Sequence, residues 1–169
     1  MATNLPERGL LADLITWLDD HAVPYELHEH PLAYTASATA HAEGVSERSF
    51  AKVVGVGTAD GSRVLAVVDA ADHVDFVRLA AFLGTEWAAL LTERMLEEIL
   101  PDCEAGAIPP VPEIARVEVV ADEAVRNDPR ISFNAGSHRT AVRVDREAWE
   151  RAAGIRYGSF ALTTGAPVA

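Results

Sequence analysis

The sequence predicts an α/β protein in which helices are interleaved with a mixed sheet. Three observations carry that expectation. Apolar residues recur at helical spacing near the N-terminus, an Asp-Gly step joins two β-rich runs, and strand and helix patterns alternate to the C-terminal end. At least two of the strand pairs are hairpins, which are antiparallel by construction, so the sheet is expected to be mixed and not purely parallel.

Leu10, Leu11, Leu14, Ile15 and Leu18 place residues 8–21 on an amphipathic helix. Residues 23–28 read as a short strand. Residues 35–43 are rich in Ala and Thr and stop at Gly44, which predicts a short helix capped by Thr35 or Ser37. Residues 50–56 and 63–68 are β-rich, and the Asp60-Gly61 step between them signals a hairpin. Asp72 is expected to cap a helix that carries Asp75 in its first turn and ends at Gly84. Residues 92–100 form the next helix, closed by Pro101. The Gly/Pro-rich stretch 106–112 can be neither helix nor central strand. Residues 117–120 make a strand, Asn127-Asp128-Pro129 a turn, and residues 131–133 and 140–144 pair around Gly136. Asp145 caps a last helix that ends at Gly154. No repeat, linker or low-complexity segment interrupts this order. One domain over residues 1–169, with its core in about 8–160, is therefore expected.

The 169 residues suffice to bury a real core, and 49% hydrophobic with 24% charged residues is an ordinary globular balance. No stretch approaches the roughly 18–20 apolar residues that span a bilayer. Residues 1–8 lack the basic patch and apolar run of a signal peptide. Cys103 is the sole cysteine, which excludes an internal disulfide and fits a reducing compartment. The expected location is the cytoplasm, with no membrane partner. A net charge of −12 argues against generic nucleic-acid binding, because nonspecific affinity for phosphate comes from Lys and Arg. The charge is uneven, however. Residues 1–115 carry 6 basic and 19 acidic side chains, whereas residues 116–169 carry 8 and 7. A polyanion is better received at the C-terminal third, where Arg130, Arg139, Arg143, Arg146, Arg151 and Arg156 lie.

Lys52 stands out as the only lysine beside thirteen arginines, set within an apolar strand. A lysine there must snorkel, pair with an acid, or point into a polar pocket. Its compact charge suits a phosphate or a developing oxyanion; an edge-strand lysine that blunts aggregation is the alternative. Gly106-x-x-x-Pro110 is a second candidate, since a rigid turn can aim backbone N–H groups at one oxygen, although most such loops only connect elements. Gly55-x-Gly57 leads into a strand and fails as a nucleotide loop. His28-x-His30 offers two imidazoles but no clear third ligand, so neither metal nor cofactor is expected. His138 follows Gly136-Ser137 at a hairpin tip, where a solvent-facing ring is the plain reading. Cys103, between Asp102 and Glu104, is expected to have a raised pKa and to be no nucleophile.

Taken in order, His30-Pro31 with Tyr34-Thr35, Phe50-Ala51-Lys52-Val53-Val54, Val67-Val68-Asp69-Ala70, the run from Cys103 to Pro110, and Phe133-Asn134-Ala135-Gly136-Ser137-His138 resemble the YbaK-like, prolyl-tRNA synthetase-associated editing domains. The resemblance covers roughly residues 10–160. It implies a curled, mostly antiparallel mixed sheet approaching a barrel, flanked by helices. It implies hydrolysis of the ester joining a wrong amino acid to the terminal adenosine of tRNA, with a non-catalytic aminoacyl-tRNA-binding module as the alternative. Lys52 matches the family's essential lysine, which holds the phosphate end of the terminal adenosine. Gly106 and Pro110 match the loop whose amides orient the ester carbonyl. His30, Thr35, Ala107, Ile108, Pro110, Asn134, Gly136, Ser137 and His138 are the substrate-binding positions so implied. The implied partner is the acceptor end of aminoacyl-tRNA, with a synthetase or another translation factor as a further candidate. The family works without a dedicated protein base, which agrees with the lack of a Ser-His-Asp or Cys-His constellation here.

Overall fold

A computed structural model of the chain describes residues 9–33, 36–46, 48–104 and 106–163. Helix α1 (Leu10–Asp20) turns Leu14, Trp17 and Leu18 inward, as the helical spacing requires. Strand β1 (Tyr25–Glu29) and helix α2 (Ala36–Glu43) follow. The hairpin forms as expected: β2 (Ala51–Thr58) and β3 (Arg63–Asp69) pair antiparallel across the Asp60-Gly61 turn, with Gly61 at φ +83. Every position of β3 after Arg63 is buried because the strand is covered on both sides. Leu65 and Val67 enter the main core, and Val64, Ala66 and Val68 enter a second one. That double burial is why its sequence is a continuous apolar run and not an alternation.

The expected helix at Asp72 starts later. Asp72 belongs to a short strand, β4 (Asp72–Val74), and Asp75 is the true cap of α3 (Phe76–Leu83), accepting from the N–H groups of Val77 and Arg78. Two acids three residues apart fit the same cap pattern, and the local sequence does not choose between them. Strand β5 (Ala88–Leu90), too short to show a period, precedes α4 (Glu93–Ile99), which Thr92 caps. Gly55 and Gly57 have a packing reason: a Cβ at either would run into Leu91, and at Gly55 also into Leu96 of α4. Pro112 does not stay in the irregular stretch but opens a four-residue helix, α5 (Pro112–Ala115). Strand β6 (Glu118–Asp122) and a 3-10 turn lead to the hairpin of β7 (Arg130–Ser137) and β8 (Thr140–Asp145). Asp145 caps α6 (Arg146–Ala153), which Gly154 ends at φ +62. Two short strands, β9 (Arg156–Gly158) and β10 (Ala161–Thr163), complete the described chain.

The sheets are mixed. A five-stranded sheet runs β5-β2-β3-β6-β9, antiparallel across its first three strands and parallel across β3-β6-β9. An antiparallel sheet runs β1-β8-β7, and β10 pairs with β4. A parallel bridge between Phe50 and Ser132 joins the two larger sheets, reinforced by the Ser132 N–H on the Ser49 carbonyl at 2.9 Å. The sheets curl around the main core without closing a barrel. Trp17, Phe133 and Trp149 lie in that core, with α1 against β7. No described helix is long and apolar enough to cross a membrane.

Candidate active site

Strand β7 organises the site because its two ends hold two different groups of residues. At its C-terminal end the register with β8 shifts between Asn134 and Ser137, and Gly136 takes φ +91. This irregularity exposes backbone groups that the 104–107 loop captures. The Gly136 N–H donates to the Ala107 carbonyl at 2.9 Å, and the Glu104 N–H donates to the Gly136 carbonyl at 3.0 Å. Glu104 also accepts the His138 N–H on Oε2 at 2.9 Å. Gly106 itself is exposed at φ +81, and a Cβ there would sit 3.7 Å from His138 Cε1. Within the loop, the Ala107 N–H is engaged by the Glu104 carbonyl at 3.0 Å. Pro109 and Pro110 have none to offer. Gly106 and Ile108 therefore keep the loop amides that no described residue engages. The side chains of Ala107 and Ile108 are core, at 0% and 4% exposure. Pro110 is buried, and its carbonyl accepts the indole N–H of Trp149 at 2.9 Å.

The same hairpin receives the segment after β1. The His30 N–H donates to the Arg139 carbonyl at 2.9 Å, and the Ala33 N–H donates to the His138 carbonyl at 3.2 Å. His30 Nδ1–H donates to the Pro31 carbonyl at 2.7 Å, and its Nε2 lies 3.7 Å from Glu43 Oε1. His28 approaches the same carboxylate at 3.9 Å, and among the described residues no three or more His, Cys, Asp or Glu form a metal-holding group. Ser137 serves the turn: its Oγ donates to Thr140 Oγ1 at 3.3 Å and accepts the Arg139 N–H at 3.2 Å. His138 is not solvent-facing but buried, at 6% exposure, because the loop and residues 30–33 close over it. Thr35 lies outside the described residues. Cys103 is buried, its thiol pushed up to about 12 by burial and then by the Glu104 charge.

At its other end β7 meets the strand of Lys52. The Phe50–Ser132 bridge lies just before both Lys52 and Asn134. Each is two residues beyond its bridge partner, so both lie on the same face as the bridge because side chains alternate along a strand. Beyond the bridge β2 and β7 part, and β5 with the Leu91 N–H after it covers that edge of β2 only from Gly55 to Thr58. Lys52 thus borders an open length of strand edge. On its other side it pairs with Val68 of β3. Its ammonium donates to the Asp72 carbonyl. Burial lowers its pKa, against the opposing pull of the Asp72 charge. Asn134 is 7% exposed, and its Oδ1 has no hydrogen-bond partner among the described residues.

Arg48, Asp69 and Asp72 form a charged cluster next to the Lys52 contact, and of the three only Asp69 falls within the motifs of the resemblance. Arg48 Nη1 donates to both carboxylate oxygens of Asp72, at 2.8 and 2.9 Å, and lies 3.5 Å from Asp69. Both acids are buried, Asp69 at 3% and Asp72 at 1% exposure. Burial, then the charges of Asp72 and Asp128, push the Asp69 carboxyl up to about 7, with Arg48 opposing. The available signal is two acids flanking the end of an apolar strand, with no lysine or arginine within five residues of either. No described hydrogen bond or ion pair links Lys52 to the Gly106 loop. What they share is β7, with Ser132 beside one and Gly136 beside the other. Of the arginines in the C-terminal third, Arg130, Arg146 and Arg156 are committed to Glu26, Glu150 and Glu118. Arg139 is exposed at the hairpin tip.

Comparison with known proteins matches residues 30–152 to the aminoacyl-tRNA editing domain. No curated protein sequence matches. A structure solved in work on epitope backbone grafting by computational design onto scaffold proteins aligns with a TM-score of 0.77 at 20% identity, over 93% of this chain and 98% of that one. A hypothetical protein aligns at 0.79 and 16% identity, over 88% of this chain and 99% of that one. A candidate trans-editing enzyme for prolyl tRNA synthetase aligns at 0.75 and 18% identity, over 89% of this chain and 96% of that one. At such identities the structural likeness speaks for the fold, whereas the sequence match takes in both ends of β7, Lys52 and the Gly106 loop. The chain belongs to the aminoacyl-tRNA editing domain family.

Proposed function

We propose that this protein is a trans-editing hydrolase that removes a wrong amino acid from tRNA, with its site between Lys52 and the Gly106–Pro110 loop. The observation that carries this reading is the half-buried Lys52 bordering an unpaired strand edge, within a chain of the editing family. A cation partly removed from water meets an anion more strongly than an exposed one does. Lys52 is suited to hold the phosphate end of the terminal adenosine. The amides of Gly106 and Ile108 are suited to orient the ester carbonyl and to meet the negative charge that develops on its oxygen. Water attacks the carbonyl carbon, the bond to the ribose oxygen breaks, and the products are the amino acid and a ribose hydroxyl. The substrate's own neighbouring hydroxyl assists the water, so no protein base is required. His30, Asn134, Gly136, Ser137 and His138 are assigned to the surrounding wall, and the resemblance adds Thr35 as a substrate-binding position. Ala107, Ile108 and Pro110 contribute through backbone and shape, since their side chains face the core.

The acidic N-terminal two-thirds confines tRNA contact to the acceptor end, and a synthetase or another translation factor in the cytoplasm is the natural source of further affinity. Incubation with a panel of mischarged aminoacyl-tRNAs tests the reading. Release of the amino acid from at least one is expected. Stable binding with the ester intact would make the protein a binding module, and indifference to every tRNA would overturn the proposal.

A further inference from the structure

We infer that Arg48 is a positioning residue for Lys52: by holding the carboxylates of Asp69 and Asp72, it leaves the lysine bound to a backbone carbonyl with its charge directed to an anionic substrate. The inference rests on the function proposed above and deepens it. Lys52 lies within the field of the buried Asp72, and an ammonium beside a carboxylate ordinarily pairs with it. Here it does not. The lysine donates to the Asp72 carbonyl, while the Asp72 carboxylate is turned to Arg48 and gripped through both oxygens at 2.8 and 2.9 Å. The same Nη1 lies 3.5 Å from Asp69 Oδ2, so one guanidinium serves both acids.

The arrangement has a geometric cause. Asp72 begins β4, where pairing with Thr163 of β10 fixes its backbone. Its carbonyl is thereby held toward β2 as a neutral acceptor that orders one end of a long side chain. Arg48 sits just before the Phe50–Ser132 bridge, and nearly half of its side chain is exposed. Its guanidinium, nearly half exposed, balances two acids whose charges together outweigh the cost of its partial burial. Remove it, and Lys52, whose ammonium already lies at the Asp72 backbone, is the cation left for the Asp72 carboxylate. The ammonium would then be neutralised by the Asp72 carboxylate and withdrawn from substrate. A lysine at position 48 would still balance the acids as a point charge, though without the forked grip.

The test compares hydrolysis of aminoacyl-adenosine with and without a 5′-phosphate by the intact protein and its variants. The wild type is expected to prefer the phosphorylated ester, and Lys52→Ala to abolish that preference. Arg48→Ala is expected to lower the preference roughly tenfold, the scale of one charge-assisted contact. Arg48→Lys should retain most of it. Lys52→Ala with Arg48→Ala should be no worse than Lys52→Ala alone, and adding Asp72→Asn to Arg48→Ala should recover part of the loss. A preference left intact in Arg48→Ala, or additive losses in the double variant, would overturn the inference while leaving the proposed hydrolase standing. If the wild type cleaves neither ester nor any mischarged tRNA, both fall together. Should Arg48→Ala melt below the assay temperature, Arg48→Gln carries the same comparison, with the same two results deciding it.

Discussion

Replacing Asp69 by Asn removes a carboxyl whose proton is held by burial in the fold. The carboxyl is pushed from 3.8 to about 7, first by burial and then by Asp72 and Asp128. Its folded pKa lies above its unfolded one, so the native state binds more protons between those values. The stability this proton contributes is therefore fully present below about pH 4 and is lost as pH rises through 7. Each pH unit across that window is worth about 1.4 kcal/mol, which gives up to ~4 kcal/mol in all and roughly 3 kcal/mol between pH 5 and pH 8. Asn cannot titrate. Urea unfolding of both proteins at pH 5 and pH 8 should show the wild type losing about that much more than Asp69→Asn. The absolute stabilities also include the loss of the Arg48 partner, so the difference in slope is the quantity to read. Parallel pH profiles in the two proteins would refute the reasoning, because they would mean that Asp69 is charged throughout.

Other consequences follow from the same geometry. Gly106→Val puts a β-branched side chain at φ +81 beside His138, so deacylation should fall more than tenfold while unfolding free energy drops by about 1–3 kcal/mol. A lowered melting temperature with activity kept would make the loop purely structural. Trp149→Phe removes the indole N–H from the buried Pro110 carbonyl and should cost about 1–3 kcal/mol in urea unfolding, an outcome contradicted by unchanged stability. Arg139→Glu should weaken tRNA binding and lower its salt slope by about 0.7–0.9, yet leave aminoacyl-adenosine hydrolysis unaltered. Arg63→Glu, in the acidic part of the chain and paired with Glu98, is the control. An equal effect from both would point to nonspecific electrostatics.

Those parts of the fold are legible in the sequence where local chemistry admits one answer. Thr92, Asp145, Gly84 and Gly154 cap or end their helices because their side chains or backbone freedom suit nothing else nearby. Asp72 reads locally as a helix cap, but its role is tertiary: only pairing with Thr163, far along the chain, makes it a strand. Strands β5, β9 and β10 are hidden for the same reason, since three residues carry no period. In the site, Lys52 is conspicuous by its rarity, whereas Arg48, one of thirteen arginines, acquires meaning only when β2, β3 and β4 bring two acids to it. His138 has the sequence surroundings of a turn residue and is buried because Ala33, Glu104 and Gly106 lie against it, contacts no local pattern encodes.

The central claim is that Lys52 supplies the charge on which ester cleavage depends. It is tested most directly by single-turnover deacylation of a mischarged tRNA that the wild type clears, measured for Lys52→Ala alongside thermal melting. A lost contact of this kind is worth about 3 kcal/mol of transition-state stabilisation, so a fall of roughly a hundredfold with an unchanged melting temperature is predicted. Wild-type deacylation by a folded Lys52→Ala protein would contradict the account.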